Sequence, residues 1–245
     1  MVYGSREALR KDVERKAERY TMEIQIVTGF FGSGKTTFLN QYIPLLAGKT
    51  ALIQNEFGEV EFNDALLQQD IPVQELNAGC ICCSLAMDFR KGIKEIADKY
   101  KPDYILIEPT GMSKLSDVVK ACKIARERDY VDLLVTKRIV MVEAPEFEDC
   151  MEDFGAFYED QIKNAGMLFL THTDEISEEQ LERIVEKVKE VNPGAIVYTE
   201  DFRSLSAEKF LELVDGSSDL EGEEQRLDPS FERARTRGVK KIIYR

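Results

Sequence analysis

Eight residues, Gly29-Phe30-Phe31-Gly32-Ser33-Gly34-Lys35-Thr36, fit G-x-x-x-x-G-K-[ST]. They follow a short apolar run, MEIQIVTG, and open a segment of helical spacing, TTFLNQYIPLLAG, that stops at Gly48. That strand–loop–helix setting is the one a phosphate cradle requires. Glycines let the backbone turn and bring N–H groups close to phosphate oxygens, and the helix N-terminus adds a favourable dipole. Lys35 reaches β- and γ-phosphates in such a loop, and the Thr36 hydroxyl is placed to ligate Mg²⁺. The bland alternative, a glycine turn with an incidental lysine, does not account for the flanking strand and helix.

Three thiols crowd into Cys80-Ile81-Cys82-Cys83. Soft thiolates select Zn²⁺, Cu(I) or related ions over Mg²⁺. A structural zinc site closes with four ligands, yet no second CxxC follows here. A three-thiolate site suits a metal that is held and released, with Glu56, Glu59 or a water as the missing ligand. A redox-active thiol group and plain structural cysteines are the alternatives. Cys122 and Cys150 are isolated and read as core or surface residues.

Glu108 ends an apolar strand and precedes Pro109-Thr110-Gly111. A carboxylate there is where an acid that holds Mg²⁺ or orients water belongs, and Gly111 would let backbone approach a γ-phosphate. Asn55-Glu56-Phe57-Gly58-Glu59 follows the second strand, as a switch segment ordered by the γ-phosphate or as an acidic solvated loop. Thr171-His172-Thr173-Asp174 ends another strand. Asp174 is able to accept from the N1–H and N2–H₂ of guanine, a donor pair that adenine lacks, with His172 stacking beside the ring. The alternative for Asp174 is a helix cap. A lone His has no ligand cluster around it, so His172 is not read as a metal ligand.

The elements that must position these residues alternate in type. Apolar runs fall at MEIQIVTG, TALIQN, IPVQEL, DYILIEPTG, KRIVMVEAP, GMLFLTHTD and AIVYTE. Helical spacing falls at 36–48, 85–100, SDVVKACKIARER (capped by Ser116 or Asp117), SEEQLERIVEKVKEVNPG and SLSAEKFLELVDG. Strands that are apolar throughout, alternating with helices, predict an α/β fold: a mostly parallel central sheet with helices on both faces. The expected organisation is an N-terminal helical extension over 1–21, a nucleotide-binding domain over 22–216 and a polar tail over 217–245.

Composition narrows the partners. In 245 residues, 33 Lys+Arg against 46 Asp+Glu give a net charge of −13, which argues against nucleic acid. No apolar run approaches the roughly 18–20 residues that span a bilayer, and the polar N-terminus has no secretory h-region. Five cysteines make no disulfide framework and point to a reducing, cytoplasmic compartment. A single His excludes HExxH chemistry.

Taken in order, GFFGSGKTT, NEFGEV, ELNAGCICC, IEPTG and THTD resemble the CobW-type metal-chaperone GTPases, relatives of the hydrogenase- and urease-maturation GTPases. The resemblance covers roughly Glu23 to Val214. It implies a P-loop NTPase (SIMIBI-like) architecture and a slow GTPase that uses Mg²⁺ with GTP. It also implies transfer of a transition metal, zinc or cobalt, to a client metalloprotein or corrinoid (cobalamin) system, and it admits a homodimer. By position, Gly32, Ser33, Gly34, Lys35, Thr36 and Thr37 match the family's phosphate loop, and Glu108 and Gly111 its ExxG element. Cys80, Cys82 and Cys83 match its CxCC metal motif, with Glu59 a candidate further ligand. His172 and Asp174 fall on its guanine motif, and Lys35 and Glu108 are the expected catalytic pair. Three departures stand out. His172 replaces the usual Lys, Gln54 replaces an acid common before Asn55, and the C-terminal domain of many members is expected to be missing. Two other readings stay open: a nucleotide-responsive metal-binding adaptor with negligible hydrolysis, and a P-loop ATPase or kinase with incidental cysteines.

Overall fold

The computed structural model describes residues 21–55, 71–76 and 85–216. Seven strands form one sheet: β1 (Met22–Gly29), β2 (Thr50–Asn55), β3 (Val73–Leu76), β4 (Tyr104–Glu108), β5 (Leu133–Glu143), β6 (Met167–Thr171) and β7 (Ile196–Tyr198). Their order is β3-β2-β4-β1-β5-β6-β7, and every neighbouring pair is parallel. The expectation of a mostly parallel sheet is thus met in full among the described residues. The helices are α1 (Lys35–Tyr42), α2 (Leu85–Tyr100), α3 (Leu115–Arg128), α4 (Phe147–Asn164), α5 (Glu178–Val191) and α6 (Ala207–Asp215).

Two cores flank the sheet. On one face Phe89 and Ile93 of α2, Val118 and Ala121 of α3, Phe147 and Ile162 of α4 and Val188 of α5 pack on Ile24, Ile26, Ile105 and Val140. On the other, Phe38 and Tyr42 of α1 and Phe210 and Val214 of α6 pack on Val27, Leu52, Leu106 and Phe169. Burial on both faces explains why the strands read as continuous apolar runs. Among the polar residues buried on the strands, Gln25 of β1 accepts a hydrogen bond from the Tyr42 hydroxyl at 2.7 Å.

Several boundaries differ from expectation. The first helix ends at Tyr42, and residues Ile43–Leu45 form a 3₁₀ turn with Pro44 in its first turn, because proline removes a backbone donor and crowds the preceding carbonyl. Neither Ser116 nor Asp117 caps α3. Lys114 holds the cap position without a side-chain bond, and the Ser116 N–H is satisfied by Asp160 Oδ1 of α4 at 3.0 Å. Helix α4 itself had no counterpart in the sequence reading. Its eighteen residues are rich in acids and are interrupted at Gly155, whose φ of 34° breaks the helical path. The proposed N-terminal helix and the polar tail lie outside the described residues. No helix among the described residues is long and apolar enough to cross a membrane.

Candidate nucleotide site

In a parallel sheet every strand ends on the same edge, and ligands bind there beside the strand where the chain reverses its direction of winding. Here that strand is β1, between β4 and β5. Its last residue, Gly29, has φ 144°, and a Cβ there would lie 2.2 Å from the Met141 carbonyl oxygen. The loop runs on to Gly34, left-handed at φ 89°, which sits at the N-cap of α1. The Phe30 carbonyl gathers the loop around itself. It accepts from Ser33 Oγ at 2.7 Å, from Ser33 N at 3.3 Å and from Lys35 Nζ at 2.9 Å. Thr36 and Thr37 follow in the first turn of α1.

Glu108, at the end of β4, is buried and accepts from Gln54 Nε2 of β2 at 2.8 Å. Burial pushes its carboxyl above the usual carboxylate range, partly offset by the Gln54 hydrogen bond and by Lys35. Burial lowers the Lys35 ammonium below the usual lysine range, against the opposing pull of Glu108. The Gly111 backbone presses on the phosphate loop: a Cβ there would meet Phe30 Cα at 3.1 Å, Gly29 O at 3.2 Å and Phe31 N at 3.3 Å.

A cleft opens beside this loop, lined by Gly34 and Thr37 of the loop and α1, by residues 170–174 and by residues 200–203. The Thr171 hydroxyl bonds to the Ser33 and Val142 carbonyls, both at 3.2 Å. Thr173 Oγ1 donates to the Thr199 carbonyl at 3.1 Å, which ties the two walls together. His172 is left-handed, with φ 54°, and its Nδ1 lies 3.1 Å from Glu175 Oε1. Asp174 is in the cleft wall. The Asp201 carboxylate accepts from Arg203 Nε and Nη2 at 2.8 and 3.0 Å, and that pairing holds its pKa below the usual range.

The structure therefore brings Gly32, Ser33, Gly34, Lys35, Thr36, Thr37, Glu108, Gly111, His172 and Asp174 to one edge of the sheet. Cys80, Cys82, Cys83 and Glu59 lie outside the described residues. Among the described residues no group of three or more His, Cys, Asp or Glu could hold a metal.

Sequence reasoning missed three features. Residues 200–203 carry no motif and reach the cleft only because β7 is parallel to β6. Glu143 ends β5, and a Cβ on Gly32 would lie 2.7 Å from its Oε2. Its signal, an acid closing an apolar strand, was the one that singled out Glu108. Helix α4 braces both loops. Phe30 packs on Phe154 and Tyr158 with ring centroids 4.7 and 5.0 Å apart, and the buried Gln161 donates to the Gly111 and Ser113 carbonyls at 2.8 and 2.9 Å.

Known proteins are similar in sequence and in fold. The family model described as the CobW/HypB/UreG nucleotide-binding domain matches residues 23–199. The zinc chaperone YjiA of Escherichia coli is 31% identical over 183 residues, 72% of this chain and 56% of that protein. The zinc-regulated GTPase metalloprotein activator 1 of Dictyostelium discoideum is 25% identical over 211 residues, 71% of this chain and 44% of its own length. The chain thus spans about half the length of the curated relatives it matches. In fold it resembles the crystal structure of HypB from Helicobacter pylori in complex with nickel, with a TM-score of 0.57, 15% identity and coverage of 89% of this chain and 93% of that one. The phosphate loop on β1, the turn after Glu108 and the 170–174 wall of the cleft fall within the matched span, while residues 200–203 lie just beyond it, and the chain belongs to the CobW/HypB/UreG family.

Proposed function

We propose that this chain binds and hydrolyses GTP and acts as a metallochaperone. It holds a transition metal as cargo on the Cys80, Cys82 and Cys83 thiolates and passes it to a client metalloprotein or corrinoid protein in the cytoplasm. Zinc is the first choice of cargo, given the zinc chaperones among its relatives, with cobalt second. Glu59 is proposed as a further ligand. A homodimer formed around nucleotide or metal belongs to the same reading, and the net charge of −13 sets nucleic acid aside.

The observation that carries this reading is topological. Strands β3 and β2 lie next to β4 in a wholly parallel sheet. The cysteine segment begins just after β3 and reaches Cys80 four residues beyond Leu76. It therefore leaves the same sheet edge as the phosphate loop and the Glu108 turn. The acidic segment that starts at Glu56 leaves β2 at that edge as well. Coupling between the γ-phosphate and the thiolates is proposed on that shared edge.

The roles follow from chemistry. Loop N–H groups and Lys35 bind the β- and γ-phosphates. The Thr36 hydroxyl and the Glu108 carboxylate are hard oxygen donors, and a buried carboxylate beside a lysine suits a site that receives both phosphate and Mg²⁺. Mg²⁺, when bound, neutralises charge on the transferring phosphoryl group. Glu108 would hold Mg²⁺ or orient the attacking water, and Gly111 brings backbone to the γ-phosphate. Asp174 accepts from guanine, with His172 beside the ring.

The test is titration of the reduced protein with Zn²⁺ and Co²⁺, in GDP or a non-hydrolysable GTP analogue, against a Cys80/Cys82/Cys83→Ser variant. Tight Cys-dependent binding that shifts with nucleotide is expected. Equal affinity in both nucleotides would remove the coupling, and binding that ignores the substitutions would remove the cysteine site.

A further inference from the structure

Gln54 is a site residue that neither phosphate binding nor base recognition accounts for. It is 5% exposed, on β2, and stands in register with Glu108 of β4, itself 7% exposed. Its Nε2 donates to Glu108 Oε2 at 2.8 Å. An amide desolvated this far is tolerated because it has that partner.

The kind of partner matters. A carboxylate offers two oxygens and about four lone-pair directions. A donor fixed on Oε2 sets the plane of the group and leaves Oε1 as the oxygen for whatever arrives at the site. The donor is also uncharged, so it orients the carboxylate without neutralising it. Lys35, whose charge Glu108 feels, stays on the Phe30 carbonyl instead of closing onto the acid as an ion pair. An acid at position 54 would put two carboxyls within hydrogen-bond distance, where they share a proton or a cation. An amide does neither.

The geometry points to Gln54 as a positioning residue for GTP cleavage: its amide fixes which oxygen of Glu108 faces the nucleotide and satisfies that carboxylate without drawing Lys35 off the phosphates. This rests on the proposed role of Glu108 as the acid that holds Mg²⁺ or the attacking water.

The experiment uses the whole chain with Gln54→Met, which keeps the side-chain length and removes the donor, and Gln54→Glu as a second variant that keeps a polar group. Glu108→Gln and the Gln54→Met/Glu108→Gln double variant complete a cycle. Single-turnover GTP cleavage is read at saturating protein, with GDP and GTP-analogue affinities measured separately. Loss of a hydrogen bond to an ionised acceptor predicts cleavage about 10–100-fold slower in Gln54→Met. Nucleotide affinities stay unchanged, and the double variant is no slower than Glu108→Gln alone, because Gln54 acts through Glu108. The Gln54→Glu variant is slowed as well.

Unchanged cleavage in Gln54→Met with a strong loss in Glu108→Gln overturns this inference alone. A loss of affinity as large as the loss of rate, or additive losses in the double variant, assigns Gln54 a structural role and also overturns it. An inert Glu108→Gln substitution removes the role of Glu108 and this inference with it. A wild-type chain that does not cleave GTP refutes the hydrolysis reading and the inference together.

Discussion

Replacing Gly111 by Ala tests the contact between the Glu108 turn and the phosphate loop. The added methyl would meet three backbone atoms, Phe30 Cα, Gly29 O and Phe31 N, at 3.1–3.3 Å. None of these is a flexible side-chain end, so relief requires one of the two loops to move by a few tenths of an ångström. Overpacking of this kind destabilises by about 1–3 kcal/mol. At roughly 2–4 °C per kcal/mol for a domain of this size, the midpoint should fall by about 2–12 °C. Two other glycines bracket it. Gly29→Ala puts a Cβ 2.2 Å from the Met141 carbonyl at φ 144° and must be worse. Gly194→Ala meets its nearest atom, Asn192 Oδ1, at 3.8 Å and should be neutral or slightly stabilising. Thermal melts of the three variants, with GDP affinity by fluorescence titration, give the order Gly29, Gly111, Gly194 from most to least damaged. A Gly111→Ala protein with wild-type midpoint and wild-type affinity would refute the close approach on which the turn's role depends.

On the proposed reading of guanine by Asp174, Asp174→Asn should weaken GTP binding by about 100-fold, since both hydrogen bonds from the base would be compromised. Xanthosine triphosphate, whose 2-oxo group accepts from an amide, should bind the variant better than GTP does; competition binding with both nucleotides decides. The raised pKa of Glu108 means that folding is penalised while its carboxyl is charged, fully above the folded pKa and not at all below 4.5. Glu108→Gln should therefore melt higher than wild type at pH 7 without nucleotide. The gap should close on acidification toward pH 4.5, and a constant gap would contradict this. Ser177 and Gln180 form a capping box at the start of α5, so Ser177→Ala should cost about 1 kcal/mol, seen as a drop of roughly 2–4 °C.

The legible part of this molecule was the part whose chemistry is local. A phosphate loop needs its glycines, lysine and threonine within eight consecutive residues, so it declares itself, and the acid closing β4 and the Asp after β6 could be placed relative to it. The parallel sheet was legible too, because burial on both faces leaves strands without polar alternation. What escaped depends on distant residues meeting. Residues 200–203 reach the cleft through the β6–β7 pairing, which sequence spacing does not encode. Helix α4 was missed because Gly155 interrupts its period, yet Tyr158 and Gln161, beyond that break, are buried against the two loops. The wrong cap at α3 has the same origin: its donor is answered by Asp160, from a helix the sequence reading lacked.

The crowded carbonyl of Phe30 has a kinetic consequence. Ser33 spends its one hydroxyl donor on it and Lys35 one of its three, and a phosphate that draws Lys35 outward exchanges with that bond. Association is then an exchange of acceptors within a closed loop, with a unimolecular opening step before or after the encounter. Observed rates should curve toward a plateau as nucleotide concentration rises, even for a small ligand whose collision with the protein is fast. Ser33→Ala removes the hydroxyl tether, leaves the backbone bond from position 33, and should raise the plateau.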